Sequence, residues 1–149
     1  MVSPSMRIDE GCDLDSDNSV LMREKLAVLI VDDDAVVRKV HEKLASQLKV
    51  AKQVQTETAT NGKEALDLHL SGSSFDIILM EMDLPIMDGP EVTKELRAMG
   101  VKSMIVGVTS RDSQVEKTAF MVAGLDECLE KPLTADKISS LVETLEKKK

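Results

Sequence analysis

The run LAVLIVDDD, residues 26–34, decides the fold. Its first six residues are all apolar, with no polar position between them. A strand with one wet face alternates, whereas a continuous apolar run is buried on both faces. The run then stops abruptly at Asp32-Asp33-Asp34. Just beyond, Val37, Val40, Leu44 and Leu48 recur every three or four residues, the spacing of a helix. The same pairing repeats outward along the chain. Short β-rich runs lie at 54–59 (VQTETA), 75–80 (FDIILM), 103–108 (SMIVGV) and 126–130 (DECLE). Helical periods fall at Ala65, Leu66, Leu68 and Leu70, at Val115, Ala119 and Val122, and at Ile138, Leu141, Val142 and Leu145. Asn61-Gly62, Asp88-Gly89 and Gly124 punctuate the joints. The order predicted is βαβαβαβαβα, an α/β class. Such alternation gives a doubly wound, five-stranded parallel sheet with five helices on its two faces.

Composition narrows the functions. The 149 residues suit one domain with a real core. Lys and Arg total 19 against 27 Asp and Glu, a net charge of −8. That balance argues against nucleic-acid backbones, which are bound by Lys and Arg. Phe75 and Phe120 are the only aromatics, too few to stack single-stranded bases. Residues 1–24 carry six acids against Arg7 and Arg23 and no sustained period, so they read as a flexible acidic N-terminal tail. Residues 25–149 read as the folded domain. Cys12 and Cys128 form no disulfide framework, which fits a reducing compartment. No apolar run is long enough to span a membrane, and MVSPSMRIDEG contains no secretory apolar core. A cytoplasmic or nuclear location is expected.

In open α/β sheets, ligands bind at the carboxyl ends of the strands. Here those ends deliver Asp32 and Asp33, then Glu81 with Asp83 two residues on, then Thr109, then Lys131. One such residue is ordinary loop polarity, but four strand ends converging on acids, a hydroxyl and a lysine indicate a site. Asp32, Asp33 and Glu81 bring three negative charges and Lys131 returns one. A divalent cation would balance the rest, and oxygen donors select a hard ion such as Mg²⁺. Metal, lysine and hydroxyl around one carboxylate suit a phosphoryl group, whose transfer depends on positioning and charge neutralisation.

With these residues in place, the strings VLIVDDD, ILMEMDLPIMDG, VGVTS and CLEKPLT resemble the receiver domain of two-component response regulators. The resemblance covers about residues 25–148, and GVTS with AGLDECLEKPLT looks most like the short plant type-C regulators. Those lack a DNA-binding output domain, and none is expected here. The resemblance implies a flavodoxin-like (CheY-like) fold with strand order 2-1-3-4-5. It implies that Asp32, Asp33, the residue at 81 and the backbone carbonyl of Asp83 hold Mg²⁺. It implies that Thr109 and Lys131 contact the phosphoryl group, and that Lys131-Pro132 is a cis bond. It further implies a histidine-containing phosphotransfer protein as partner, in a plant phosphorelay of the cytokinin type. The oligomeric state stays open.

Two positions depart from the family pattern. Pro85 fixes the phosphoacceptor at position 81, where this chain has Glu instead of Asp. The extra methylene moves the carboxylate by about 1.5 Å, and a misplacement near 1 Å can cost about a hundredfold. This form is therefore expected to be phosphomimetic or inactive, while a Glu81→Asp form would accept and then hydrolyse the phosphoryl group. Because the other site residues are intact, the pattern points to a single replacement that mimics or blocks phosphorylation. Second, Cys128 stands where receivers usually carry the Tyr or Phe of an aromatic switch. Neither Phe120 nor Phe75 is expected to stand in, which leaves Thr109 and the loop after it to carry any signal.

Other signals compete less well. Residues 13–24 match an EF-hand loop, with Asp13, Asp15, Asp17 and Glu24 at ligand positions, but no entering helix precedes them. Asp32-Asp33-Asp34-Ala35-Val36 fits the D-x-D-x-V nucleophile motif of haloacid-dehalogenase-like phosphatases, the enzyme alternative. Against it, the only Asp after Lys131 is Asp136, inside a helical period. A non-phosphorylatable interaction module is the third reading. His41 and His69 lie in helical segments with no ligand cluster around them and read as packed or solvated.

Overall fold

The structure is a computed structural model that describes residues 23–49, 51–110 and 114–147. The expected tail and the Asp positions of the EF-hand match lie outside the described residues, apart from the tail's last two residues. Strands and helices alternate: β1 (Arg23–Val31), α1 (Ala35–Ser46), β2 (Ala51–Ala59), α2 (Gly62–Leu70), β3 (Ile77–Glu81), α3 (Gly89–Ala98), β4 (Met104–Thr109), α4 (Gln114–Val122), β5 (Glu127–Glu130) and α5 (Ala135–Lys147). The five strands form one parallel sheet in the order β2-β1-β3-β4-β5.

The apolar runs explain the layering. Successive strand side chains point to opposite faces. Leu26, Val28 and Ile30 of β1, Ile77 and Leu79 of β3, and Val106 and Val108 of β4 pack with Ala45 of α1 and Ile138, Leu141 and Val142 of α5. Leu29 and Val31 of β1, Ile78 and Met80 of β3, and Ile105 of β4 pack on the other face, with Ala65 of α2, Val92 and Leu96 of α3, and Phe120 of α4. The three central strands are thus covered on both faces, as their unbroken apolarity requires.

Several boundaries differ from the sequence reading. β1 begins at Arg23, so the last two residues assigned to the tail belong to the sheet, and Glu24 pairs with Lys52 of β2 at 2.9 Å. β2 begins at Ala51, earlier than Val54, because an edge strand carries polar residues on its open side. Phe75 precedes β3 instead of opening it. α3 carries no sustained apolar period, because it buries only Gly89, Val92, Thr93 and Leu96. Its signal lies in the cap: Asp88 and Glu91 form a reciprocal capping box, and Pro90 sits in the first turn.

The order reverses between β1 and β3, since β1 connects outward to β2 and the chain returns to β3 on its other side. Val31 is in register with Met80, so Asp32 and Glu81 follow on neighbouring strands at this switch point.

Candidate functional site

Each acid of the run 32–34 has a different setting. Asp32 is 2% exposed, and its Oδ1 accepts from the Asp34 N–H at 2.9 Å. Its backbone N–H donates to the Ala59 carbonyl at 3.1 Å, and its carbonyl accepts from Arg38 Nη1 at 2.7 Å. Asp33 is exposed. Asp34 caps α1, accepting from the N–H groups of Val36 and Val37.

Glu81 ends β3 and is 6% exposed. Its Oε1 accepts from Lys131 Nζ at 2.5 Å, and its Oε2 accepts from the Asp83 N–H at 3.0 Å. Lys131 Nζ also lies 3.0 Å from Asp32 Oδ2. One ammonium therefore bridges the two buried carboxylates. Burial opposes the ammonium charge, but hydrogen bonds to Glu81 and Asp32 outweigh it and hold the Lys131 pKa above its ordinary value. The Lys131 N–H donates to the Thr109 carbonyl at 2.8 Å, which ties the β5 end to the β4 end. Thr109 is fully buried, and the Lys131-Pro132 bond is cis.

His41 is packed, at 4% exposure, and lines a groove with Lys131, Pro132 and Leu133. Burial pushes its pKa down, the nearby Lys131 charge adds to this, and Asp32 opposes it. His69 is packed: its Nδ1 lies 2.8 Å from the Ala65 carbonyl, and its ring meets Phe75 edge-on at 5.4 Å. Asp136 lies in the first turn of α5 and not at a strand end. Cys128 is half-buried, and burial raises its thiol pKa, which favours the unreactive thiol.

The structure thus brings Asp32, Glu81 and Lys131 into direct contact and places Thr109 beside them through the backbone. Asp83 contributes its N–H to Glu81, while its side chain is exposed. Among the described residues, no three His, Cys, Asp or Glu side chains gather as a metal-holding group. The oxygen donors nonetheless suit Mg²⁺, which binds through one or two carboxylates and keeps several waters.

The family model of the response regulator receiver domain matches residues 28–143. The chain belongs to that family. It is 47% identical over 125 residues to the two-component response regulator 24 of Arabidopsis thaliana, covering 84% of this chain and 87% of the relative. It is 50% identical over 130 residues to the two-component response regulator ARR22 of the same plant, covering 85% and 89%. Among solved structures, the chemotaxis protein CheY4 of Vibrio cholerae superposes with a TM-score of 0.70 at 25% identity, covering 83% of this chain and 98% of that one. This receiver domain accordingly has the CheY-like fold, and its plant relatives are two-component response regulators. No helix among its described residues is long and apolar enough to cross a membrane.

Proposed function

We propose that this receiver serves a plant phosphorelay of the cytokinin type, in the cytoplasm or nucleus, with a histidine-containing phosphotransfer protein as donor. In a Glu81→Asp form, a carboxylate oxygen would attack the phosphohistidine phosphorus. The new O–P bond forms as the P–N bond breaks, and the imidazole leaves. Asp32, Asp33, the residue at 81 and the Asp83 carbonyl would hold Mg²⁺. When bound, it supplies positive charge against the phosphoryl oxygens. Lys131 adds a fixed cation, the Asp83 N–H adds a donor, and Thr109 brings a hydroxyl to the same rim.

The observation that carries this reading is the Glu81 carboxylate itself. Its two oxygens occupy Lys131 Nζ and the Asp83 N–H, two donors suited to an anion bonded at position 81. The chain as written therefore supplies its own anion to those donors, which favours the phosphomimetic form over an inert one. Val36 and Val40, 70% and 49% exposed, line the groove that Lys131 borders, and Ile86, 83% exposed, follows five residues after Glu81. Ile86 is held at φ 72°, a strained setting for a β-branched residue. Such apolar exposure beside a charged site supports a protein donor.

Incubation with labelled phosphotransfer protein and Mg²⁺ tests the proposal. Glu81→Asp is expected to take up label, and the Glu81 chain to lag by about a hundredfold or more. Equal rates would overturn the reading of position 81. Failure of the Asp variant to accept label would overturn the proposed reaction. Turnover of free phosphate esters, abolished by Asp32→Asn, would instead favour the phosphatase alternative.

A further inference from the structure

Phe120 is fully buried on the inner face of α4. Two glycines make room for its ring. A methyl group placed on Gly107, in β4, would lie 2.5 Å from Phe120 Cε2 and 2.8 Å from Cδ2. A methyl placed on Gly89, the first residue of α3, would lie 2.7 Å from Phe120 Cζ and 2.8 Å from the Glu81 carbonyl oxygen. Real side chains do not approach this closely, so the ring fills the space at both glycines. Gly107 is the register partner of Cys128, the small residue in place of the usual aromatic.

The backbone after Glu81 hangs between the same two points. The Met82 N–H donates to the Val108 carbonyl at 3.2 Å, next to Gly107. The Met82 carbonyl accepts from the Gly89 N–H at 2.8 Å. The following residue, Asp83, supplies the N–H that holds Glu81 Oε2. Both hydrogen bonds anchoring this segment therefore end at or beside a glycine that Phe120 covers. From this we infer that Phe120 is a positioning residue: it ties α4 to the 81–83 segment and fixes where the Asp83 N–H points. The placement of Asp83 follows from the packing alone, and its consequence for phosphoryl acceptance rests on the reading above.

Amide-resolved NMR of the full chain, without phosphodonor, tests the inference. In Phe120→Leu, the Met82, Asp83 and Gly89 amides are expected to shift, and Asp83 hydrogen exchange to quicken by about tenfold. Val142→Ala, a truncation in the core on the other face of the sheet, is expected to leave these amides in place. Gly107→Ala pushes on the same ring from β4 and should shift the same amides, so the inference stays testable if Phe120→Leu does not fold. Adding Phe120→Leu to Gly107→Ala should bring them part of the way back. Unmoved Asp83 and Gly89 amides in either single variant, or equal changes in Val142→Ala, would overturn the inference. None of these readouts involves phosphate, so failure of phosphoryl transfer in Glu81→Asp is a separate result.

Discussion

Lys131 Nζ stands 2.5 Å from Glu81 Oε1, although the two residues are 50 positions apart, Glu81 ending β3 and Lys131 following β5. The same ammonium reaches Asp32 across 99 positions. The carboxylates are almost fully buried, with side-chain exposures of 3% for Asp32 and 7% for Glu81. Removing the cation would leave two like charges in a poor solvent.

Lys131→Met is therefore expected to cost about 3 kcal/mol at neutral pH, in the range for breaking a buried ion pair. Urea denaturation checks this, and adding Glu81→Gln should recover part of the loss.

Glu81→Asp retracts the carboxylate by about one C–C bond, roughly 1.5 Å. Its contacts with Lys131 and the Asp83 N–H weaken, and stability should fall by about 1–2 kcal/mol without metal. Millimolar Mg²⁺ should raise Tm more in this variant than in the Glu81 chain, where Lys131 already neutralises the carboxylate. Thermal melts with and without EDTA compare the two.

His41 predicts a pH dependence. Its folded pKa lies below the ordinary 6.5, chiefly because of burial. The unfolded chain then binds more protons around that pH, so the His41 contribution is fully present above 6.5 and is lost as pH falls toward the folded pKa. His41→Leu should flatten the stability curve as pH falls below about 6.5. The difference between the two denaturation series removes the carboxylate titrations both chains share.

Arg97 anchors the opposite end of the sheet. Its guanidinium donates to the carbonyls of Gly124, Val101 and Ser103, and to Asp126 Oδ2 at 2.7 Å. Asp126 Oδ2 in turn accepts the Ile105 N–H at 2.8 Å. Lysine cannot reproduce that planar fork, so Arg97→Lys should cost about 1–3 kcal/mol despite keeping the charge. Chemical denaturation reads the loss directly.

The parts legible in sequence were those with a strong physical signature. VLIV and IILM had to be doubly buried strands, and polar residues directly after them had to lie on one rim. β2 was harder to bound because its open edge tolerates Lys52, Gln53 and Gln55. α3 carries no legible period because its buried face is narrow, although Asp88 and Glu91 announce its start. At the site, the charge balance of Lys131 against the acids could be counted from the chain. The Asp83 N–H could not, because a backbone donor leaves no mark in the residue alphabet. The packing of Phe120 is equally hidden, because the glycines it covers lie 13 and 31 positions away and meet under one ring only once the sheet forms.

The run Asp32-Asp33-Asp34 is chemically uniform and structurally divided. The first faces inward onto Lys131, the second lies exposed on the surface, and the third caps α1. Three identical letters thus carry three separate tolerances to replacement. Codon randomisation across 32–34 should return Asn, Ser and Thr freely at position 34, where any short acceptor closes the helix. It should return almost nothing but Asp at position 32. A protein fold can give adjacent copies of one residue unrelated histories of drift, so a string of repeats should be inherited or engineered one position at a time.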